Sequence, residues 1–102
     1  MILEMAVLNI RPNEEAAFEA AIKRARPLMA ATPGFRTIEV RRCVEVPNRY
    51  LLLITWEKID DHDIGFRQSD RYDEWKTILH HFYDPFPIVE HYAEPLELQK
   101  HS

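Results

Sequence analysis

Apolar residues occupy both parities of Ile2 to Ile10, with Ile2, Ala6, Leu8 and Ile10 on one and Leu3, Met5 and Val7 on the other. That pattern predicts a strand covered on both faces. Pro12 and Asn13 interrupt it, and Asn13 is the expected N-cap of a helix whose first turn holds Glu14 and Glu15, where acidic groups suit the dipole. Phe18, Ile22, Ala25 and Met29 then recur at helical spacing to about Ala31. Pro27 should kink this helix or mark where its last turn loosens, and Thr32-Pro33-Gly34 ends it. Phe35 to Val46 predicts a second strand with Ile38, Val40 and Val44 on one face and Glu39, Arg41 and Cys43 on the other. Pro47-Asn48-Arg49 is a turn. Tyr50 to Trp56 is a third strand, apolar on both faces and paired antiparallel with the second.

Downstream, Asp60 is placed to cap a short helix with Ile59, His62 and Phe66 on one face, and Gly65, Gln68 and Ser69 loosen its end. Ser69 is the N-cap expected for a further helix, in which Tyr72, Trp75, Leu79 and Phe82 form an apolar stripe. Asp84-Pro85-Phe86-Pro87 stops that helix, and Ile88 to Tyr92 supplies a fourth strand. The order is βαββαβ, the ferredoxin-like α+β arrangement: a four-stranded antiparallel sheet with helices on one face. Residues 1–102 are expected to form one domain. Strands one and three are apolar on both faces, and no residues remain to cover the open one. A second copy, packed sheet to sheet in a homodimeric α/β barrel, is the expected cover.

Composition narrows the classes. The chain is 46% hydrophobic and 29% charged, ordinary for a soluble globular protein. A net charge of −4, with Arg41-Arg42 as the densest basic spot, argues against nucleic acid as a partner. The single cysteine, Cys43, excludes an internal disulfide and a Cys-rich metal site, and is expected to be a small buried residue rather than a reactive thiol. No stretch approaches the ~20 apolar residues of a membrane span, and no signal peptide is evident, so no membrane association is expected and the cytoplasm is the expected location. The two glycines, Gly34 and Gly65, make no phosphate-binding loop, which argues against nucleotide and flavin sites.

Ile59 to Tyr92 holds four of the five histidines and seven of the eleven aromatic residues. Core packing alone seldom concentrates rings and imidazoles so strongly; a pocket for a small flat molecule does. The opening strand followed by RPNEEAAFEAA, then TPGF, YLLLITWE, DDHDIGFRQSDRYDEW and HHFYDPFPIVEHY together resemble the antibiotic biosynthesis monooxygenase family of dimeric α/β barrels. The resemblance covers nearly the whole chain. It implies oxidation of an electron-rich aromatic compound, such as an anthrone or quinol, by molecular oxygen with no metal or flavin cofactor. Other members of the family degrade haem or have no known reaction, so the fold alone does not fix the chemistry. Haem degradation is disfavoured: Phe66, Lys76 and Ala6 stand where the haem-degrading relatives carry their Trp, His and Asn.

Given that resemblance, His62 is the candidate general base, because imidazole accepts protons near neutral pH. Its plainer alternative is a histidine bonded to a backbone carbonyl or to Asp60, Asp61 or Asp63. Arg67 is the candidate stabiliser of a substrate oxyanion, and its alternative is a surface ion pair with Asp63 or Asp70. Trp56, Phe66 and Tyr72 are candidate aromatic walls, while Trp75 is expected in the core. His81 is expected to face the pocket with Tyr83. A metal centre of His62, His81, His91 and a carboxylate lacks any supporting His-x-x-x-His spacing, so no metal is expected. The rival expectations are a non-catalytic small-molecule-binding protein on the same pocket, a pocketless structural or stress protein, and an isomerase or decarboxylase that consumes no oxygen. The aromatic- and proline-rich segment around Phe86 suits either the floor of the pocket or an arm that crosses the dimer; on the second reading Phe86→Ala is expected to weaken association.

Overall fold

The computed structural model describes residues 1–98. Strands β1 (Ile2–Asn9), β2 (Phe35–Arg42), β3 (Arg49–Trp56) and β4 (Val89–Tyr92) form one antiparallel sheet in the order β2-β3-β1-β4. Helix α1 (Glu15–Ala30) joins β1 to β2, and a π-helical turn (Asp61–Phe66), helix α2 (Asp70–Leu79) and a 3-10 turn (His80–Phe82) join β3 to β4. This is the ferredoxin-like α+β fold that the hydrophobic pattern predicts.

Cross-strand register sorts the side chains. Ile2, Glu4, Ala6 and Leu8 of β1 stand opposite Trp56, Ile54, Leu52 and Tyr50 of β3, and all but Ile2 are buried beneath the helices. From α1, Phe18, Ala21, Ile22, Ala25 and Met29 close over them, and Trp75, Leu79, Phe82 and Tyr83 complete the core. The other face carries Leu3, Met5, Leu51 and Leu53, half-buried, and Val7, exposed. The helices leave that apolar face open.

Two local expectations are corrected. Asn13 is not the N-cap: it takes a left-handed conformation (φ 72°) in the turn closed by Glu14 N–H donating to the Arg11 carbonyl, and α1 begins one residue later with Glu14 at its cap. Asparagine is among the few side chains that tolerate this region. Helix α1 runs through Pro27, which falls in its last turn. Strand β2 ends at Arg42 rather than Val46, because Cys43 N–H donates to the Arg49 carbonyl and the chain reverses there. Val44 is left 91% exposed instead of sharing a face with Ile38 and Val40. Cys43 is half-buried in that turn, its Sγ accepting from the Val46 N–H at 3.4 Å.

Candidate functional site

A cavity of about 150 Å³ lies between the sheet and the segment from the π turn to β4. Its sheet side includes Glu4, Ala6 and Leu52, and its helix side includes His62, Phe66, Arg67, Tyr72 and Trp75. His80, Tyr83 and Phe86 lie at the end where the chain leaves α2. The walls interlock edge to face: Phe66 meets Trp75 at 5.7 Å and Tyr72 at 5.6 Å between ring centroids. This geometry suits the positive edges and negative faces of aromatic rings.

The π turn positions the polar groups. Arg67 N–H donates to the His62 carbonyl five residues back, and this wider turn presents His62 and Phe66 to the interior. His62 is 3% exposed while Ile59, expected on the same face, is 42% exposed. The His62 ring stacks on Trp56 with centroids 5.5 Å apart. Its Nε2 lies 3.4 Å from Glu4 Oε1, and its Nδ1 lies 2.8 Å from His91 Nε2, a hydrogen bond in which one ring nitrogen donates to the other. Glu4 Oε1 also accepts from Trp56 Nε1 at 2.9 Å. The register explains the meeting, since His91 of β4 stands directly opposite Glu4.

Burial governs the ionisation of this chain of groups. Loss of water pushes the Glu4 carboxyl up to about 7, against the Trp56 N–H and the Arg67 charge, which favour the carboxylate. Burial, helped by the nearby Arg67 and His91, pushes His62 down to about 4. Both groups are therefore driven toward their neutral forms. Burial also raises the Tyr83 phenol, and burial with the Lys76 charge lowers His80.

Of the residues singled out from sequence, His62, Phe66, Arg67, Tyr72 and Tyr83 line the cavity. Arg67 also forms the ion pair with Asp63, at 3.4 Å, that was its alternative reading. Trp56 is fully buried behind the wall, where it supports His62 and Glu4 rather than bounding the cavity. The placement of His81 is corrected. It is exposed and turned onto Phe82, while His80 lines the cavity beside Tyr83 and Phe86. The 3-10 turn that starts at His80 breaks the α-helical phase on which the expectation rested. His62, His91 and Asp63 have the residue types of a metal site and bring donor atoms within 4.8 Å of one another. In this arrangement His62 is hydrogen-bonded to His91 and lies 3.9 Å from Asp63, which also pairs with Arg67. His81 takes no part.

Glu4 is a further site residue that sequence reasoning missed. Its signal was present: it is the one charge within ILEMAVLN and shares parity with Ala6 and Leu8, the side that packs under the helices.

Comparison with known proteins agrees with this architecture. Residues 1–77 match the family model for antibiotic biosynthesis monooxygenase. The chain is 44% identical over 94 residues to the uncharacterised YczJ of Bacillus subtilis, covering 92% of this chain and 99% of that protein. A solved structure from Bordetella bronchiseptica, named for the same family, is 36% identical with a TM-score of 0.88, covering 93% of this chain and 97% of the other. SnoaB of Streptomyces nogalater, described as a cofactor-independent oxygenase, shares the fold at 16% identity, with a TM-score of 0.83 and 97% of each chain covered. The chain belongs to the antibiotic biosynthesis monooxygenase family.

Proposed function

We propose that this protein is a cofactor-independent monooxygenase that uses molecular oxygen to oxidise a small phenolic or quinol-like compound. The carrying observation is the aromatic-walled cavity with the neighbouring Glu4 and His62 in its lining. Family membership supports the reaction class. Size refines the substrate: a ~150 Å³ apolar cavity holds about one benzene ring, so the cavity suits a single-ring quinol rather than a polycycle.

The reaction balances without an external reductant. A hydroquinone gives up a proton to the Glu4–His62 pair. Arg67 holds the resulting anion, because a fixed cation stabilises an oxyanion best where water is excluded. The anion passes an electron to oxygen. One oxygen atom enters the ring as a hydroxyl and the other leaves as water, and oxidation of the hydroquinone to the quinone provides the two further electrons. Phe66 and Tyr72 form the walls against which the ring lies, with His80 and Tyr83 at the end of the cavity. A homodimer closed over the apolar sheet face and a cytoplasmic location complete the proposal.

Incubation with a single-ring hydroquinone under ¹⁸O-labelled oxygen tests it. The expected product is a hydroxyquinone carrying one labelled atom, with the other label in water. Tight binding of the ring without label incorporation would favour a non-catalytic binding protein.

A further inference from the structure

We propose that Glu4 is the proton acceptor facing the substrate, and that His62 and His91 relay its proton from the cavity to solvent. This inference rests on the oxygenase reading and assigns the atoms of its proton transfer.

The geometry separates the roles. Both ring nitrogens of His62 are engaged, Nε2 by Glu4 and Nδ1 by His91, so His62 presents neither to a ligand. Glu4 meets Trp56 and His62 through the same oxygen, Oε1, leaving Oε2 for a ligand in the cavity that Glu4 lines. His91 is half-buried on the edge strand β4 and is the link that reaches toward water. The three groups span two strands and the π turn and stand in series, 3.4 Å apart at Glu4–His62 and 2.8 Å apart at His62–His91.

A hydrogen bond between two neutral imidazoles admits one proton between them, which couples their tautomers. With Glu4 protonated, its hydroxyl donates to His62 Nε2, His62 Nδ1–H donates to His91 Nε2, and His91 carries its proton on Nδ1. When the proton leaves, His62 carries its hydrogen on Nε2 toward the carboxylate, His91 Nε2–H donates to His62 Nδ1, and His91 Nδ1 has released its proton to water. Every group ends neutral except Glu4, so no buried imidazolium forms. The elevated Glu4 value, about 7, suits an acceptor working near neutral pH. The charged and titratable groups facing this path are Asp63 and Arg67 on the π turn, Tyr72 and His80 on the α2 side, and Tyr83 after the 3-10 turn.

Long-range ¹⁵N NMR of the imidazoles tests the relay with no substrate present. In the wild type, His62 should move its proton from Nδ1 to Nε2, and His91 from Nδ1 to Nε2 in step, as the pH passes through the Glu4 titration near 7. In Glu4→Gln, His62 should keep one tautomer across the same pH range. In Trp56→Phe, which removes a hydrogen bond that favours the carboxylate, both switches should move together to higher pH. A His62 that keeps one tautomer in the wild type, switches unchanged in Glu4→Gln, or switches independently of His91 overturns the relay. Because the readout needs no turnover, its failure is distinguishable from a failure to find oxygenation.

Discussion

Glu4 and His62 ionise abnormally for the same reason, and the signs of their effects on stability are opposite. The folded protein holds a proton on Glu4 between 4.5, the ordinary carboxyl value, and about 7. The unfolded chain has released that proton, so this contribution falls as pH rises across the window. His62 is the reverse. Between about 4 and 6.5 the folded protein has released a proton that the unfolded chain keeps, so this contribution rises with pH. The two largely offset each other from 4.5 to 6.5. Glu4→Gln removes only the falling component, so the variant should gain on the wild type as pH rises from 5 to 7, read from urea midpoints. A gap that stays constant with pH would mean that Glu4 ionises as an ordinary carboxylate. At this scale the sequence was partly legible. The histidine-rich, aromatic-rich segment pointed to His62, Phe66, Arg67 and Tyr72. Glu4 lies elsewhere in the chain, and only the strand register shows that it meets His62 and His91.

Elements with plain periodicity matched expectation, and those shaped by a single backbone conformation did not. The strand and helix order was legible because strand alternation and helical spacing are both written in residue type. The π turn and the 3-10 turn rest on shifted backbone hydrogen bonds, for which the apolar pattern has no marker; the 3-10 turn exchanged His81 for His80, and Ile59, just before the π turn, is exposed. Gly34 is a sharper case. Its φ is +88°, and a Cβ built there would meet the Asp61 side chain at 2.1 Å. Asp61 in turn accepts from the Lys58 N–H and opens the π turn. Gly34→Ala should therefore destabilise by about 1–3 kcal/mol, the usual cost of a strained backbone position. It should also disturb His62. Gly65→Ala, with nothing nearer than 3.9 Å and an ordinary φ, should cost far less. Equal urea midpoints for the two variants would contradict this account of the π turn.

The whole molecule presents one covered and one open sheet face. Leu3, Met5, Leu51 and Leu53 form its apolar stripe, flanked by Thr37, Glu39 and Arg41 of β2. A homodimer across this face should sediment as such at micromolar concentration. Leu53→Asp should shift it toward monomer, since a carboxylate on each subunit would be buried unpaired. An unchanged sedimentation coefficient would place the interface elsewhere. Phe86 packs on His80 and Tyr83 at the cavity, so sedimentation of Phe86→Ala separates a role at the cavity from a role in association.

Among the described residues no helix is long and apolar enough to cross a membrane, and the chain belongs to the antibiotic biosynthesis monooxygenase family. The most direct test is oxygen uptake by the purified, metal-stripped protein with a panel of single-ring hydroquinones and larger anthrone-type phenols, comparing wild type with His62→Ala and Glu4→Gln. The account predicts uptake above the uncatalysed rate with single-ring substrates, lowered roughly 100-fold or more in both variants, the scale of general acid–base catalysis. Uptake that is absent across the panel, or that persists unchanged in both variants, would contradict it.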